Sequence, residues 1–189
     1  MNTTLKYTVI LAIAAITGCK KDGDDEVIPP PVNEEEVITT MVLSFTGQGG
    51  AADKELRFTD ADGEGGGAPV LALDTLQATS DYNVTLILLN ETANPVDTIS
   101  NEVLAEGADH QFFFQPTGAN ITFVYADIDA NGDPIGLRTS AATGATSAGT
   151  LKVTLLHQPD KSAAGVGGGD ITNAGGETDV EVTFPLVIE

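Results

Sequence analysis

From residue 37 onward, short apolar runs alternate with clusters of Gly, Asp, Asn and Pro, and within the runs apolar positions recur every second residue. In 37–45, the side chains of Val37, Thr39, Met41, Leu43 and Phe45 share one side of an extended chain, and Gly47-Gln48-Gly49-Gly50 ends the run. Further strands are predicted over 55–59, 70–76, 83–89, 112–114, 121–127, 135–139, 151–157 and 180–188. The run 83–89 is apolar enough to predict cover on both faces. In the last strand, Val180, Val182, Phe184, Leu186 and Ile188 alternate with polar residues, and Pro185 places it at a sheet edge or a bulge. One helical turn is predicted over 98–106, with Ser100 or Asn101 as cap and Gly107 as stop. The pattern predicts an all-β fold: an Ig-like antiparallel β-sandwich of eight or nine strands with at most one short helix.

The first 36 residues follow a different logic. Lys6 precedes an uncharged apolar stretch over 8–16, which is shorter than the roughly twenty residues needed to span a bilayer but fits a signal-peptide core. Ala15-Ile16-Thr17-Gly18-Cys19 resembles a bacterial lipobox, which implies cleavage before Cys19 and its lipidation. Cys19 is the only cysteine, so a disulfide within the chain is excluded. Lys20, Lys21, the triple proline 29–31 and the triple glutamate 34–36 read as an extended tether. The expected organisation is a signal peptide over 1–18, a lipidated cysteine and tether over 19–36, and one domain over 37–189. Cys19-Lys20-Lys21-Asp22 resembles the surface-export signal of some Gram-negative lipoproteins, which implies an outer-membrane anchor facing the cell exterior.

Charge narrows the function classes. A formal charge of -20, with 8 Lys and Arg against 28 Asp and Glu, leaves no basic surface for phosphates and argues against a nucleic-acid partner. No serine lies in a G-x-S-x-G elbow, and the two histidines lie in no nucleophile motif, so the reading is non-enzymatic. Two loops follow the opening of a calcium-binding loop, D-x-D-x-[acid or amide]-G: Asp60, Asp62 and Glu64, and Asp127, Asp129 and Asn131. Both lack the bidentate glutamate at the twelfth position, where Leu71 and Arg138 stand, and Asn131-Gly132 also fits a hairpin turn. His110 and His157, each at a strand end with carboxylates nearby in sequence, are candidate ligands for zinc or copper provided they meet in space. The glycine-rich stretch 165–169 lacks the Lys-Ser/Thr ending of a phosphate loop and reads as part of a long recognition loop, 158–178.

The segments 109–114 (DHQFFF), 131–137 (NGDPIGL) and 155–184 look like those of small acidic outer-membrane lipoproteins labelled "type 1 periplasmic binding fold superfamily protein". The fold in that label is a two-lobed α/β one, and the strand pattern here has no βαβ rhythm. The resemblance implies a companion of a TonB-dependent receptor, capturing a ligand or metal for it. A structural or adhesive sandwich at the cell surface is the alternative reading.

Overall fold

The computed structural model of the chain describes residues 36–62 and 66–189. Expectations for the signal segment, Cys19, the tether up to residue 35, and Glu64 lie outside the described residues. The strands are β1 Thr40–Gly47, β2 Lys54–Thr59, β3 Val70–Leu73, β4 Asp81–Leu89, β5 His110–Thr117, β6 Ile121–Tyr125, β7 Arg138–Thr143, β8 Ser147–His157 and β9 Glu177–Ile188. One short α-helix, α1 Ser100–Ala105, interrupts them. Two antiparallel sheets, ordered β3-β2-β1-β4-β7-β6 and β5-β8-β9, pack as a β-sandwich.

Period-two side chains create the core. Met41, Leu43 and Phe45 of β1 and Val84, Leu86 and Leu88 of β4 point inward against Phe112, Val153, Leu155 and Phe184 of the other sheet. Each such side chain contributes about 1.5–3 kcal/mol through burial. Tyr82 packs edge-on against Phe45, and its hydroxyl accepts the Gln77 N–H at 3.0 Å. The predicted strand 37–45 starts later than its pattern suggests: Val37 is exposed, and pairing begins at Thr40↔Leu89. The expectation that β4 is covered on both faces is corrected. Tyr82, Val84, Leu86 and Leu88 are buried, whereas Asp81, Asn83 and Thr85 are exposed and Ile87 and Leu89 only half-buried. Pro185 sits in β9, an edge strand, and a bulge between Leu155 and Leu156 shifts the β8–β9 register.

The two flanks of the sandwich are built differently. On one, main-chain bonds stitch the sheets together: Leu76 N–H to Val187 O at 3.0 Å, Glu189 N–H to Leu76 O at 2.9 Å, and Ala78 N–H to Glu189 O at 2.7 Å. On the other, β5 and β6 are both sheet edges and do not pair. Residues of the β6–β7 connection fill part of that gap, with Phe112 N–H donating to Ile135 O at 2.7 Å and Leu86 N–H to Leu137 O at 2.9 Å. Gly136 makes this approach feasible, because a Cβ there would lie 2.8 Å from Phe112 Cβ and its φ is +94°. Ile135 is therefore buried in a connection rather than in the predicted strand 135–139, and β7 begins at Arg138.

The helix differs from expectation at its start. Ile99 occupies the cap position without a side-chain bond. Ser100 is spent on β4 instead: its hydroxyl accepts Leu88 N–H at 2.6 Å and lies 3.3 Å from Leu88 O. Beyond the last residue that β7 pairs, Thr85, a serine and a loop carbonyl serve as the missing strand partner.

Candidate functional site

The connection from β8 to β9 is long but firmly seated. It folds over the outer face of the three-stranded sheet, where its Val166 and Ala174 pack with Phe113 and Leu156 in a second, smaller core. Asp170 caps a short 3-10 turn, Ile171–Asn173, by accepting Thr172 N–H at 2.9 Å. Near the start of the connection, Lys161 is buried, its side chain only 6% exposed. Its ammonium donates to Gly107 O at 2.5 Å, Pro134 O at 2.9 Å and Asp129 Oδ2 at 2.9 Å. An ammonium has three N–H groups, and all three are used. One lysine thus joins the long connection, the exit of α1 and the β6–β7 loop.

Further along, the same connection roofs the open flank. Gly168 and Gly169 stand over Phe114, Phe123, Tyr125 and Thr139, enclosing a small cleft of about 60 Å³ between the unpaired edges β5 and β6. Phe114 and Phe123, one from each sheet, stack with centroids 4.8 Å apart and planes 17° from parallel. Tyr125 presents its ring, because its hydroxyl is committed: it donates to Phe112 O at 2.6 Å and accepts from Gln111 Nε2 at 3.1 Å. Burial pushes its phenol up to about 12, with Asp127 adding to the rise against the opposing hydrogen bond from Gln111. Gln111 also donates to Val166 O at 2.9 Å, so the glycine turn and the tyrosine are held to one side chain.

Thr139, opposite Tyr125 in the β6–β7 register, is 2% exposed. Its hydroxyl has no hydrogen-bond partner among the described residues. A buried hydroxyl left so costs on the order of 1–3 kcal/mol, which makes this position the most expensive part of the lining.

The histidines meet. His110 and His157 pair across β5 and β8, and their rings stack at 4.9 Å with planes 17° apart. His110 Nδ1 lies 3.1 Å from Glu106 O, and a carbonyl only accepts, so Nδ1 carries the proton. Nε2 faces Asp179 Oδ2 at 3.6 Å. Around this end lie Glu36, Glu102 and Glu106. Burial, a hydrogen bond with Glu102 and the charges of Glu102, Asp179 and Glu106 push Glu36 up to about 8. An imidazole lone pair lies in its ring plane, so two stacked rings direct theirs side by side rather than at one point. Sharing a zinc or copper ion would require the rings to turn. Among the described residues no group of three or more His, Cys, Asp or Glu is arranged to hold a metal ion.

The acidic loops hold N–H donors. Asp127 accepts Gly136 N–H and Arg138 N–H, each at 2.8 Å. Asp129 Oδ1 accepts Asn131 N–H at 2.8 Å and Asp133 N–H at 3.0 Å, while Oδ2 takes Lys161. The cation of this loop is a lysine ammonium. In the other loop, exposed Asp62 accepts Gly67 N–H at 2.7 Å through Oδ2, and Asp60 beside it is half-buried.

No family model, curated protein or solved structure matches the chain. Sequence reasoning missed Lys161, Gln111, Tyr125 and Thr139. A usable signal existed for the first, since a single lysine within the glycine-rich connection of a chain with only 8 Lys and Arg is conspicuous. Thr139 becomes notable only through what surrounds it.

Proposed function

We propose that this chain is a lipid-anchored outer-membrane protein, displayed toward the cell exterior, whose sandwich is a non-enzymatic binding module serving a TonB-dependent receptor. The observation that carries the reading is the flank cleft, roofed by a connection that Lys161 and Gln111 hold in place before any ligand arrives. Preformed sites avoid the ordering cost of binding. The lining supports binding over catalysis. Its phenol stays neutral up to about 12, and its remaining members are two phenylalanines, a threonine and two glycines. The lipobox-like 15–19 segment and the acidic, proline-rich tether supply the anchor and the reach. Calcium, zinc and copper are left out of the proposal, given where the structure spends those carboxylates and imidazoles.

Membrane fractionation with surface labelling tests it. Cys19→Ser should leave the membrane fraction after a carbonate wash, and the wild-type body should be accessible to a protease added to intact cells. A serine variant that still sediments with membranes would sink the anchor.

The adhesive reading rests on β3, an edge strand whose Val70, Leu71 and Leu73 are all exposed. Concentration-dependent self-association abolished by Leu71→Lys would favour it.

A further inference from the structure

We propose that two copies of this chain pair edge to edge through β3, joining their six-stranded sheets into one. The inference deepens the adhesive reading by naming its partner as a second copy, and it rests on the β3 edge that carries that reading. The binding module is untouched, because β3 and the cleft lie at opposite edges, β3 and β6, of the sheet.

The two sheets end in β3, β6, β5 and β9, and a bare edge is a template for another strand. All but β3 are guarded. β9 carries Pro185 and is stitched at its end by Leu76 and Ala78. β5 carries Pro116 and gives its Phe112 N–H to Ile135 O. β6 borders the flank that the long connection roofs. In β3, Val70, Leu71, Ala72 and Leu73 are all exposed, with no charge or proline among them.

The ladder to β2 decides which β3 groups are free. Asp74 N–H donates to Glu55 O at 3.0 Å, so alternation turns the main chain of Ala72 toward β2 and that of Leu71 and Leu73 outward. A two-fold axis through the Ala72 pair sets Leu71 opposite the partner's Leu73, and Leu73 opposite the partner's Leu71. Each such pair exchanges both N–H and C=O, so every outward group of Leu71 and Leu73 is satisfied. Shifting the register toward the start of β3 would set Leu73 against the partner's Pro69, which has no N–H. A foreign strand could make no more bonds here, and a disordered one would also pay for its ordering.

Side chains agree with the backbone. Leu71 and Leu73 lie opposite Phe58 and Leu56 on the core side of the sheet, yet they are 37% and 41% exposed. The three-stranded sheet is too narrow to cover them. In the pair, each leucine lies beside a leucine of the partner. The central Ala72 pair is the close, non-hydrogen-bonded kind, where two methyl groups fit. Charge points the same way: two chains of charge -20 repel, and β3 is an uncharged strand through which they can meet.

Sedimentation velocity of the full chain in excess detergent, at rising protein concentration, tests the pairing. Wild type should shift from monomer to dimer. Leu71→Lys places a charge at both edges and should raise the dissociation constant by about tenfold or more. The residue is surface-exposed, so the variant's melting temperature at low concentration should stay close to that of wild type. A disulfide then checks the register. Ala72→Cys, made with Cys19→Ser, should cross-link on mild oxidation, because the central Cα atoms lie about 4.5 Å apart. Val70→Cys in the same background should not, since that register holds the two copies of residue 70 about 13 Å apart.

A chain that stays monomeric, or association that Leu71→Lys leaves unchanged, overturns the pairing. Cross-links through Val70→Cys but not Ala72→Cys overturn it too, because the copies would meet in another register or through another surface. Cells that clump through this protein while the purified chain stays monomeric overturn the pairing and leave the adhesive reading with a different partner. Dimers that cross-link through Ala72→Cys without clumping cells support the pairing, between copies on one membrane, and count against adhesion.

Discussion

The loop joining β6 to β7 buries a carboxylate, whereas the end of the sandwich around His110 crowds several exposed or half-buried ones, and the two neutralise them by different means. In the loop, Asp129 has a side chain 1% exposed and receives Lys161 together with two backbone N–H groups. At the sandwich end, Glu36 hydrogen-bonds to Glu102 with Asp179 and Glu106 close by, and a shared proton takes the place of a cation. The pKa directions are opposite. Burial raises Asp129, but the hydrogen bonds and charge of Lys161 and the loop amides outweigh it and lower the net value. Burial raises Glu36, and its acidic neighbours raise it further, to about 8. Between these two sites, the carboxylate that receives a lysine is held charged and the one crowded by other acids is held protonated. The two regions should therefore respond oppositely to pH and unequally to mutation.

The largest expected effect comes from removing the lysine. Lys161→Ala leaves Asp129 as a buried, uncompensated charge and strips donors from Gly107 O and Pro134 O, at a cost of about 3–5 kcal/mol. For a domain of this size that is on the order of a 10 °C fall in melting temperature, measurable by calorimetry. Lys161→Met with Asp129→Asn should be less damaging than the sum of the single changes, since the pair acts as a unit. Additive losses would show that Lys161 works through its carbonyl contacts alone.

The sandwich end should respond to alkali. Glu36 has a folded pKa of about 8 against an ordinary 4.5, so its protonated form is the one folding favours. Its contribution is complete below about pH 4.5 and is lost as pH rises through 8. Glu36→Gln should flatten that decline. Because Glu36 is half-exposed, solvent screening holds the difference to roughly 1 kcal/mol or less. Urea midpoints at pH 5, 7 and 9 would check it, and an identical slope in wild type and variant would remove Glu36 as the cause.

The acid side tests the other region. Asp129 has a lowered folded pKa, so its contribution is present above the ordinary 3.8 and lost as pH falls through the folded value. Asp129→Asn should lower stability at neutral pH and reduce the loss seen below about pH 4. Equal acid sensitivity in both proteins would place the acid-labile carboxylates elsewhere.

These regions also show how far the sequence could be read. Alternation marked the strands wherever the residues were large, as in β9, whose Val182, Phe184, Leu186 and Ile188 all reach the core. It failed where strands are made of small residues. Ser140–Thr143 and Ser147–Thr150 belong to β7 and β8, yet Ser, Ala, Gly and Thr carry little hydrophobic contrast. Strand pairing brought His110 to His157, but the stacked ring geometry depends on rotamers that spacing does not encode. The D-x-D spacing of both loops reads as the opening of a calcium loop, and only Asn131-Gly132 reads as a turn. The lysine that serves the β6–β7 loop is not legible there, because Lys161 lies 32 residues from Asp129. Likewise the cleft exists only because a later connection crosses an open flank.

The smallest effect belongs to the second D-x-D loop, and it sharpens why equal spacing does not mean equal role. Asp62 accepts Gly67 N–H, whose hydrogen bond is the main cause of its lowered pKa, and its carboxylate is exposed to water with no lysine partner. Asp62→Asn keeps an acceptor oxygen for Gly67 N–H, so its melting temperature should stay close to that of wild type, in contrast to Asp129→Asn. Millimolar calcium distinguishes the loops further. A ligand present at one hundred times its Kd stabilises by about 2.7 kcal/mol, a readily seen thermal shift. No shift is expected from the β6–β7 loop, because Asp127 and Asp129 direct their oxygens at five N–H donors, four backbone amides and one ammonium. A calcium-dependent rise abolished by Asp129→Asn would mean the ion displaces Lys161, and would overturn the assignment of lysine as that loop's cation. A rise abolished only by Asp62→Asn would leave that assignment intact and turn the exposed loop into the cation site.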